Sequence, residues 1–396
     1  MKTASLDLWV REQEGLHVLT EETIREIQLK KLNRLLAREK ERGGFYRDLP
    51  GHLSALSALT ELPFTTEEDL KTHGHRMVLL SQAEIARIRT EETSGTTGQA
   101  KRMYYSAADN ERTVSFFAAG LSELVYPGEK TMICMPFTGP GGLGELIAGA
   151  VRRLGAEPLP AGIGKTYGEL LRIVDREKPE TFVGMPVPLL SLLRLRGEQS
   201  GLRRVLVSAD ACPETVTAEI ERRLGSRLYP HYGSRETGLG GAVTCPAFSG
   251  MHVRENDIIA EIIDESGKPL PDGQWGELVI TTVQADAMPL IRYRTGDYTR
   301  RIPGVCPCGC PLARLDRVVR MGGTTRMEQL DSRVFAVQEL IDYRAEQREG
   351  TLYLEGYATD LGGSLPSELL GYPVRWNLSL FSEEKRPCYT AKRKLL

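Results

Sequence analysis

The chain has 396 residues, 41% hydrophobic and 26% charged, a length and balance that predict a globular protein of two or three domains. A net charge of −2 gives no electrostatic case for nucleic acid as the main partner. The N-terminus "MKTASLDLWVREQEG" lacks the apolar run of a signal peptide and no segment reaches the roughly 18 apolar residues of a membrane span, so a cytoplasmic protein without a membrane partner is expected.

Residues 22–41, "ETIREIQLKKLNRLLAREKE", place Ile24, Ile27, Leu32, Leu35 and Leu36 near helical spacing with charge elsewhere, which predicts an amphipathic helix. From about 130 short apolar runs alternate with helix-length segments. "TMICMPF" precedes "LGELIAGAVRRLG", "TFVGM" precedes "PLLSLLRLR", "RVLVSA" precedes "PETVTAEIERRLG", and "SRLYPHYG" closes the series. That alternation predicts a parallel sheet covered by helices, an α/β fold. From 257 the texture changes to "DIIAEIIDESGKPLPDGQWGELVITTV", two β-rich runs around a Gly/Pro/Asp turn, which predicts an antiparallel β-rich subdomain. A last segment, 325–396, carries the β-like run "GTLYLEGYA" and ends in basic "YTAKRKLL".

Four stretches carry chemistry. "RTEETSGTTGQAKRMYYS", 89–106, concentrates hydroxyls and glycines ahead of Lys101. Such a loop can wrap a polyphosphate with N–H and O–H donors, although its spacing is not that of a P-loop and an ordinary surface connection is the plain alternative. In "HYGSRETG", 231–238, an aromatic beside glycine can stack on a flat base, and Glu236 can hold a hard cation. In "PLIRYRTGDYTR", 289–300, Asp297 follows a turn glycine and can accept from ribose hydroxyls; a capped turn is the alternative. "VSADA", 207–211, stands at the C-terminal end of a strand, where ligands of open parallel sheets bind.

The seven cysteines are an odd count, and "CPCGC" at 306–310 is too clustered for a disulfide framework. Cys306 and Cys308 with Cys245 and His252 of "CPAFSGMH" form a three-thiolate, one-imidazole set suited to structural Zn²⁺. Cys310 is an alternative ligand, and reduced cysteines beside a surface histidine are the other reading. Cys134, Cys212 and Cys388 read as packing residues.

In this order and company the motifs resemble those of the adenylate-forming acyl-CoA synthetase superfamily, most closely its phenylacetate–CoA ligase branch. "TSGTTGQAK" matches the superfamily's phosphate loop, and "YGSRE" its Tyr-Gly-x-Thr-Glu motif with Arg235 in place of Thr. "GELVITTVQADAMPLIRYRTGD" and "SADACPETVTAEIERRLGSRLYPHYG" resemble the corresponding stretches of that branch, and the likeness covers roughly 20–340. The resemblance implies a large N-terminal adenylation domain over 1–315, a hinge over 316–324 and a small mobile α+β C-terminal domain over 325–396. It implies that Thr93, Ser94, Gly95, Thr96, Thr97 and Gly98 with Lys101 close over the phosphates of ATP. Tyr232 and Gly233 would meet the adenine, Ser208, Ala209 and Asp210 would line the base pocket, Glu236 would bind Mg²⁺, and Asp297 would hold the ribose. Arg317 or Arg320 would reach the ribose or α-phosphate. The acid pocket would take Phe137, Thr138, Gly142, Gly184, Met185, Pro186 and His231, which suit an aromatic acid. Some branch members hold zinc at positions matching the four-ligand set.

The implied activity is ATP-dependent formation of an acyl-adenylate, then transfer of the acyl group to coenzyme A with release of AMP and pyrophosphate. Lys392 and Lys394 are the candidates for the superfamily's C-terminal adenylation lysine, although its Gly-Lys pair aligns best with Tyr389 and Thr390. The hinge also departs, with Gly322 and Gly323 in place of an acidic pair. These departures leave two alternatives open: delivery to a carrier-protein or protein thiol, and a degraded ATP- or zinc-binding interaction protein. Oligomeric state is open in the sequence, and the resemblance allows a homodimer.

Overall fold

The computed structural model describes residues 4–91, 100–162, 164–320, 323–363, 365–388 and 395. The chain forms two compact units, Met1–Glu123 with His231–Val318, and Leu124–Pro230 with Val319–Leu396. The fold is the expected mixture of α/β and β-rich parts.

In the first unit the predicted amphipathic helix spans Glu21–Arg42. The Thr20 hydroxyl accepts from the Thr23 N–H while Thr23 bonds back to the Thr20 N–H, satisfying two orphan donors of the first turn. The helix stops at Gly43, whose φ of 62° is left-handed backbone that glycine adopts without steric cost. Its buried face includes Ile24, and Leu32, Leu35 and Leu36 pack with Leu59, Ile259 and Ile291. Strand Ile85–Glu91 pairs antiparallel with Lys101–Ser106, with Glu91 opposite Lys101. Helix Ala107–Leu121 follows at once, capped by Ser106 and Asp109.

The predicted antiparallel subdomain is present. Strand Ile258–Ile263 runs against Gly276–Thr282, with Ile258 opposite Thr282 and Ile263 opposite Glu277. Asp264 holds the turn between them, its Oδ1 accepting from the Ser266 and Lys268 N–H groups at 2.8 and 2.9 Å. Tyr293–Thr299 extends this sheet and presents Asp297. Three short strands, Ala242–Thr244, Met251–Val253 and Arg314–Leu315, pair antiparallel with one another in a separate sheet.

In the second unit the alternating pattern becomes parallel strands. Thr181–Gly184 pairs with Lys130–Cys134 on one side and Arg204–Val207 on the other, and Glu157–Pro160 lies outside Lys130–Cys134. Tyr229 and Pro230 continue the parallel order beside Leu206 and Val207. Helices Leu143–Arg153, Pro186–Arg196 and Glu214–Leu224 follow their strands as predicted, and a further helix, Tyr167–Glu177, follows strand Glu157–Pro160. Strand Thr181–Gly184 is buried throughout, as a strand of a parallel sheet covered by helices is.

The C-terminal segment contributes helix Gly323–Val334 and strands Leu340–Arg348, Thr351–Ala358 and Tyr372–Leu380. The "GTLYLEGYA" run is the middle strand, antiparallel to the first and parallel to the last. Its apolar side joins one core with the helices of the parallel sheet, in which Leu171, Leu190 and Ile220 pack with Leu330, Ile341, Tyr343 and Leu354. Polar bonds reinforce that core. Tyr167 donates to Asp342 at 2.9 Å, Ser191 donates to the Ile341 carbonyl at 2.7 Å, and Arg194 reaches the Phe335 and Val337 carbonyls at 2.6 and 2.8 Å.

Candidate active site and metal centre

The turn Ser234–Leu239 leaves strand Tyr229–Tyr232 and carries Glu236. Ser234 and Thr237 bond reciprocally, Ser234 N–H to Thr237 Oγ1 at 2.9 Å and Thr237 N–H to Ser234 Oγ at 3.3 Å. Leu239 N–H closes the turn on the Ser234 carbonyl at 2.7 Å. Gly233 is required by close approach, since a Cβ there would lie 2.0 Å from the Leu239 carbonyl oxygen.

Glu236 points at Lys101, the first residue of the second hairpin strand, with Nζ 2.7 Å from Oε1. Both side chains are buried. Burial works to raise the Glu236 pKa, but the Lys101 ammonium outweighs it and the carboxyl is held below its ordinary range. Removing either partner of such a pair costs roughly 3–5 kcal/mol, because the survivor becomes an uncompensated buried charge. The phosphate-loop lysine and the cation-binding glutamate expected from sequence are therefore direct neighbours.

A second expected pair also meets. The Tyr232 hydroxyl donates to Asp297 Oδ2 at 2.8 Å, and the Asp297 backbone N–H is held by Thr295 Oγ1 at 3.0 Å. His231, half-buried, lies edge-on to Phe117 at 5.6 Å. Lost hydration and then the Arg254 charge push its pKa down to about 3, so the imidazole is neutral at physiological pH. Arg317 is exposed on the same unit, its N–H bonded to Asp316 Oδ1 at 2.7 Å.

In the second unit Ser208 N–H donates to the Gly184 carbonyl at 3.0 Å, just past the end of strand Arg204–Val207. Ala209 sits at φ 69°, a left-handed conformation costing a non-glycine residue roughly 1 kcal/mol. Asp210 turns back to accept from the Ala211 N–H at 2.9 Å. Among the expected acid-pocket residues, Gly184, Met185 and Pro186 are buried and Thr138 is exposed. Phe137 lies over Gly144, where a Cβ would come within 2.6 Å of the ring. Glu145 takes the Gly139 and Thr138 N–H groups at 2.6 and 3.3 Å, which orders the loop between Phe137 and Gly142. Thr93, Ser94, Gly95, Thr96, Thr97 and Gly98, with Gly322, Tyr389, Thr390, Lys392 and Lys394, lie outside the described residues.

The four predicted metal ligands converge. The donor atoms of Cys245, His252, Cys306 and Cys308 all lie within 4.8 Å of one another. Tetrahedral zinc, with bonds of about 2.3 Å to sulfur and 2.0 Å to nitrogen, sets sulfur pairs about 3.8 Å apart and sulfur–nitrogen pairs about 3.5 Å apart. Cys245 and Cys306 sulfurs are 3.7 Å apart, and Cys308 Sγ is 3.4 Å from His252 Nε2. His252 Nδ1 is bonded to the Leu312 carbonyl at 3.1 Å, which leaves Nε2 toward the sulfurs. Cys310 is buried nearby but stands outside this set. The donor set fits zinc.

Sequence reasoning missed three side chains that grip the Glu236 turn from outside. Tyr105 donates to the Arg235 carbonyl, Thr113 to the Gly238 carbonyl and Arg254 to the Thr237 carbonyl. A cavity of about 40 Å³, room for a few waters, lies behind the turn between Tyr105, Arg112, Glu236, Arg254 and Asp257. The only sequence trace of this shell is the S-x-x-D cap that places helix Ala107–Leu121 directly after the hairpin.

The fold and the family comparison agree. A solved structure of 2-hydroxyisobutyryl-CoA ligase with its acyl-AMP, 2-HIB-AMP, superposes with a TM-score of 0.77 at 19% identity, over 96% of this chain and 90% of that one. The fold is thus that of the adenylate-forming CoA ligases. The family described as AMP-binding enzyme matches residues 92–285. Phenylacetate-coenzyme A ligase of Thermus thermophilus is 30% identical over 369 residues, covering 86% of this chain and 82% of that one. Its Pseudomonas putida namesake is 30% identical over 332 residues, covering 78% and 72%. The chain belongs to the phenylacetate–CoA ligase family of AMP-binding enzymes, the AMP-forming acid–CoA ligases.

Proposed function

We propose that this protein activates an aromatic carboxylic acid with ATP to an acyl-adenylate and passes the acyl group to coenzyme A. The observation that carries this reading is the buried Lys101–Glu236 pair directly after the hydroxyl-rich segment 93–98. The aromatic class is supported by the relatives' name, phenylacetate-coenzyme A ligase.

A carboxylate is a poor acyl donor because its leaving group is oxide. In the first half-reaction a carboxylate oxygen bonds to the α-phosphorus of ATP as the bond to the β-phosphate oxygen breaks and pyrophosphate leaves. Such a displacement needs positioning and charge stabilisation more than covalent help. Lys101 supplies a fixed positive charge in sequence next to the phosphate segment, and Glu236, held ionised by it, is the proposed Mg²⁺ ligand. When bound, Mg²⁺ supplies charge neutralisation at the phosphates. Tyr232 and Asp297, already bonded to each other, offer an aromatic face for adenine and a carboxylate for ribose. The strained Ala209 supports a ligand role for the 208–210 bend, because backbone strain concentrates at functional sites. In the second half-reaction the CoA thiol gives up its proton, its sulfur bonds to the acyl carbon, and AMP leaves with the electrons of the broken C–O bond. Lys392 or Lys394 is the proposed C-terminal adenylation lysine.

Cys245, His252, Cys306 and Cys308 are proposed to hold Zn²⁺ in a closed structural site, which would tie the residues after strand Ala242–Thr244 to the 306–310 loop.

The test is thioester formation, read by mass spectrometry, across aryl, arylacetic and short-chain acids with ATP and CoA. Aryl or arylacetic CoA thioesters are expected to dominate. A preference for short-chain acids would overturn the substrate class, and adenylation without any CoA product would overturn the acceptor.

A further inference from the structure

The turn that carries Glu236 is held by more than its own internal bonds. Three successive stations along it expose carbonyl oxygens, and each is taken by a side chain from a different element. Tyr105, on strand Lys101–Ser106, donates its hydroxyl to the Arg235 carbonyl at 2.5 Å. Thr113, on helix Ala107–Leu121, donates to the Gly238 carbonyl at 2.8 Å. Arg254, just past strand Met251–Val253, donates Nη2 to the Thr237 carbonyl at 3.1 Å. All three are buried.

Arg254 is the costly member. The residue is 6% exposed, and its Nε and Nη1 have no hydrogen-bond partner. Its compensation is an Asp257 carboxylate at 3.4 Å and the face of Phe116 at 5.1 Å. Burial pulls its pKa below the ordinary range, with Asp257 working in the opposite direction. A buried cation so incompletely satisfied is expensive to keep, and a neutral side chain of similar volume would pack there at less cost. What a neutral side chain lacks is a charge-assisted bond to the Thr237 carbonyl, next to the Glu236 peptide.

We propose that Arg254, assisted by Tyr105 and Thr113, is a positioning residue that clamps the Ser234–Leu239 turn so that the Glu236 carboxylate meets the metal–nucleotide in one fixed orientation. The inference rests on the reading of Glu236 as the Mg²⁺ ligand. Arg254, Tyr105 and Thr113 bond the Thr237, Arg235 and Gly238 carbonyls, so they act through the backbone that bears Glu236.

The experiment measures Mg²⁺-dependent ATP binding by calorimetry and ATP–pyrophosphate exchange against Mg²⁺, for wild type, Arg254→Met, Arg254→Lys, Tyr105→Phe and Thr113→Val. Leu32→Ala, on the buried face of helix Glu21–Arg42, serves as a variant that loses stability alone. Arg254→Met is expected to raise the Mg²⁺ half-saturation about tenfold and lower exchange, with the acid KM unchanged. Arg254→Lys is expected to restore most of the Mg²⁺ affinity, and Tyr105→Phe and Thr113→Val to shift it about twofold to threefold. Leu32→Ala is expected to leave it at the wild-type value. Should Arg254→Met not fold, the Tyr105→Phe/Thr113→Val double variant carries the test, with an expected shift near fivefold. Wild-type Mg²⁺ dependence in every folded clamp variant would overturn the positioning role. A Glu236→Gln variant with unchanged Mg²⁺-dependent binding would instead overturn the reading of Glu236, and the inference with it.

Discussion

Two carboxylates of the same unit are buried to a similar degree and behave in opposite ways. Glu236 is 8% exposed and Glu39 is 0% exposed. Glu236 faces an ammonium at 2.7 Å and is held ionised. Glu39, near the end of helix Glu21–Arg42, has the Tyr46 N–H at 3.3 Å but no salt-bridged cation among the described residues, and burial pushes its pKa up to about 7. Burial is common to both, so the partner decides the charge state. A carboxylate intended for a hard cation must be ionised before the ion arrives, and only Glu236 meets that condition. The cysteine cluster extends the same rule, since buried thiolates also require a compensating cation.

The largest effect is expected from that cluster. Purified protein should contain stoichiometric zinc by elemental analysis, and Cys306→Ser or prolonged chelation should lower the melting temperature by roughly 10 °C or more. Zinc-free protein with an unchanged melting temperature would show that the thiols are compensated as Glu39 is, by protonation.

Next comes Lys101→Met, which turns Glu236 into a second Glu39. The variant should lose about 3–5 kcal/mol of stability at pH 8 in denaturant melts. Its exchange activity should fall by roughly a hundredfold or more. Loss of activity without loss of stability would break the comparison, because it would mean that the pair is not buried in solution.

The smallest effect belongs to Glu39 itself. Its folded pKa of about 7 lies above the ordinary 4.5, so the folded state binds the proton more tightly than the unfolded chain does. The stability this contributes is full below pH 4.5 and is lost as pH rises through 7. Glu39→Gln should therefore be more stable than wild type at pH 8, on the order of 2 kcal/mol, with the gain fading toward pH 4.5. A gain that is the same at both pH values would place the effect in packing rather than ionisation.

Much of this architecture is legible in the sequence, for local reasons. The helix at Glu21–Arg42 shows in its spacing and its Thr20 cap, and the parallel strands show as apolar runs separated by helix-length segments. The metal set is legible because thiols and imidazole have few other reasons to cluster, and their donors do meet. The clamp on the Glu236 turn is not legible. Tyr105 and Thr113 lie 130 and 125 residues from the carbonyls they bind, and each alone is an ordinary strand or helix residue. The docking of the C-terminal strands onto the helices of the second unit is equally hidden. The run "GTLYLEGYA" announces a strand, but nothing in it says that its apolar side will share a core with Leu171 and Leu190. Periodicity reports which face is apolar, not what covers it.

The central claim is that the ionised Glu236, set against Lys101, serves carboxylate adenylation. Its most direct test is carboxylate-dependent ATP–pyrophosphate exchange, compared between wild type and Glu236→Gln with an arylacetic acid as substrate. The account predicts Mg²⁺-dependent exchange by the wild type and a loss of roughly a hundredfold or more in the variant. Exchange at the wild-type rate in folded Glu236→Gln, or none by a wild type shown to bind ATP across a full acid panel, would contradict it.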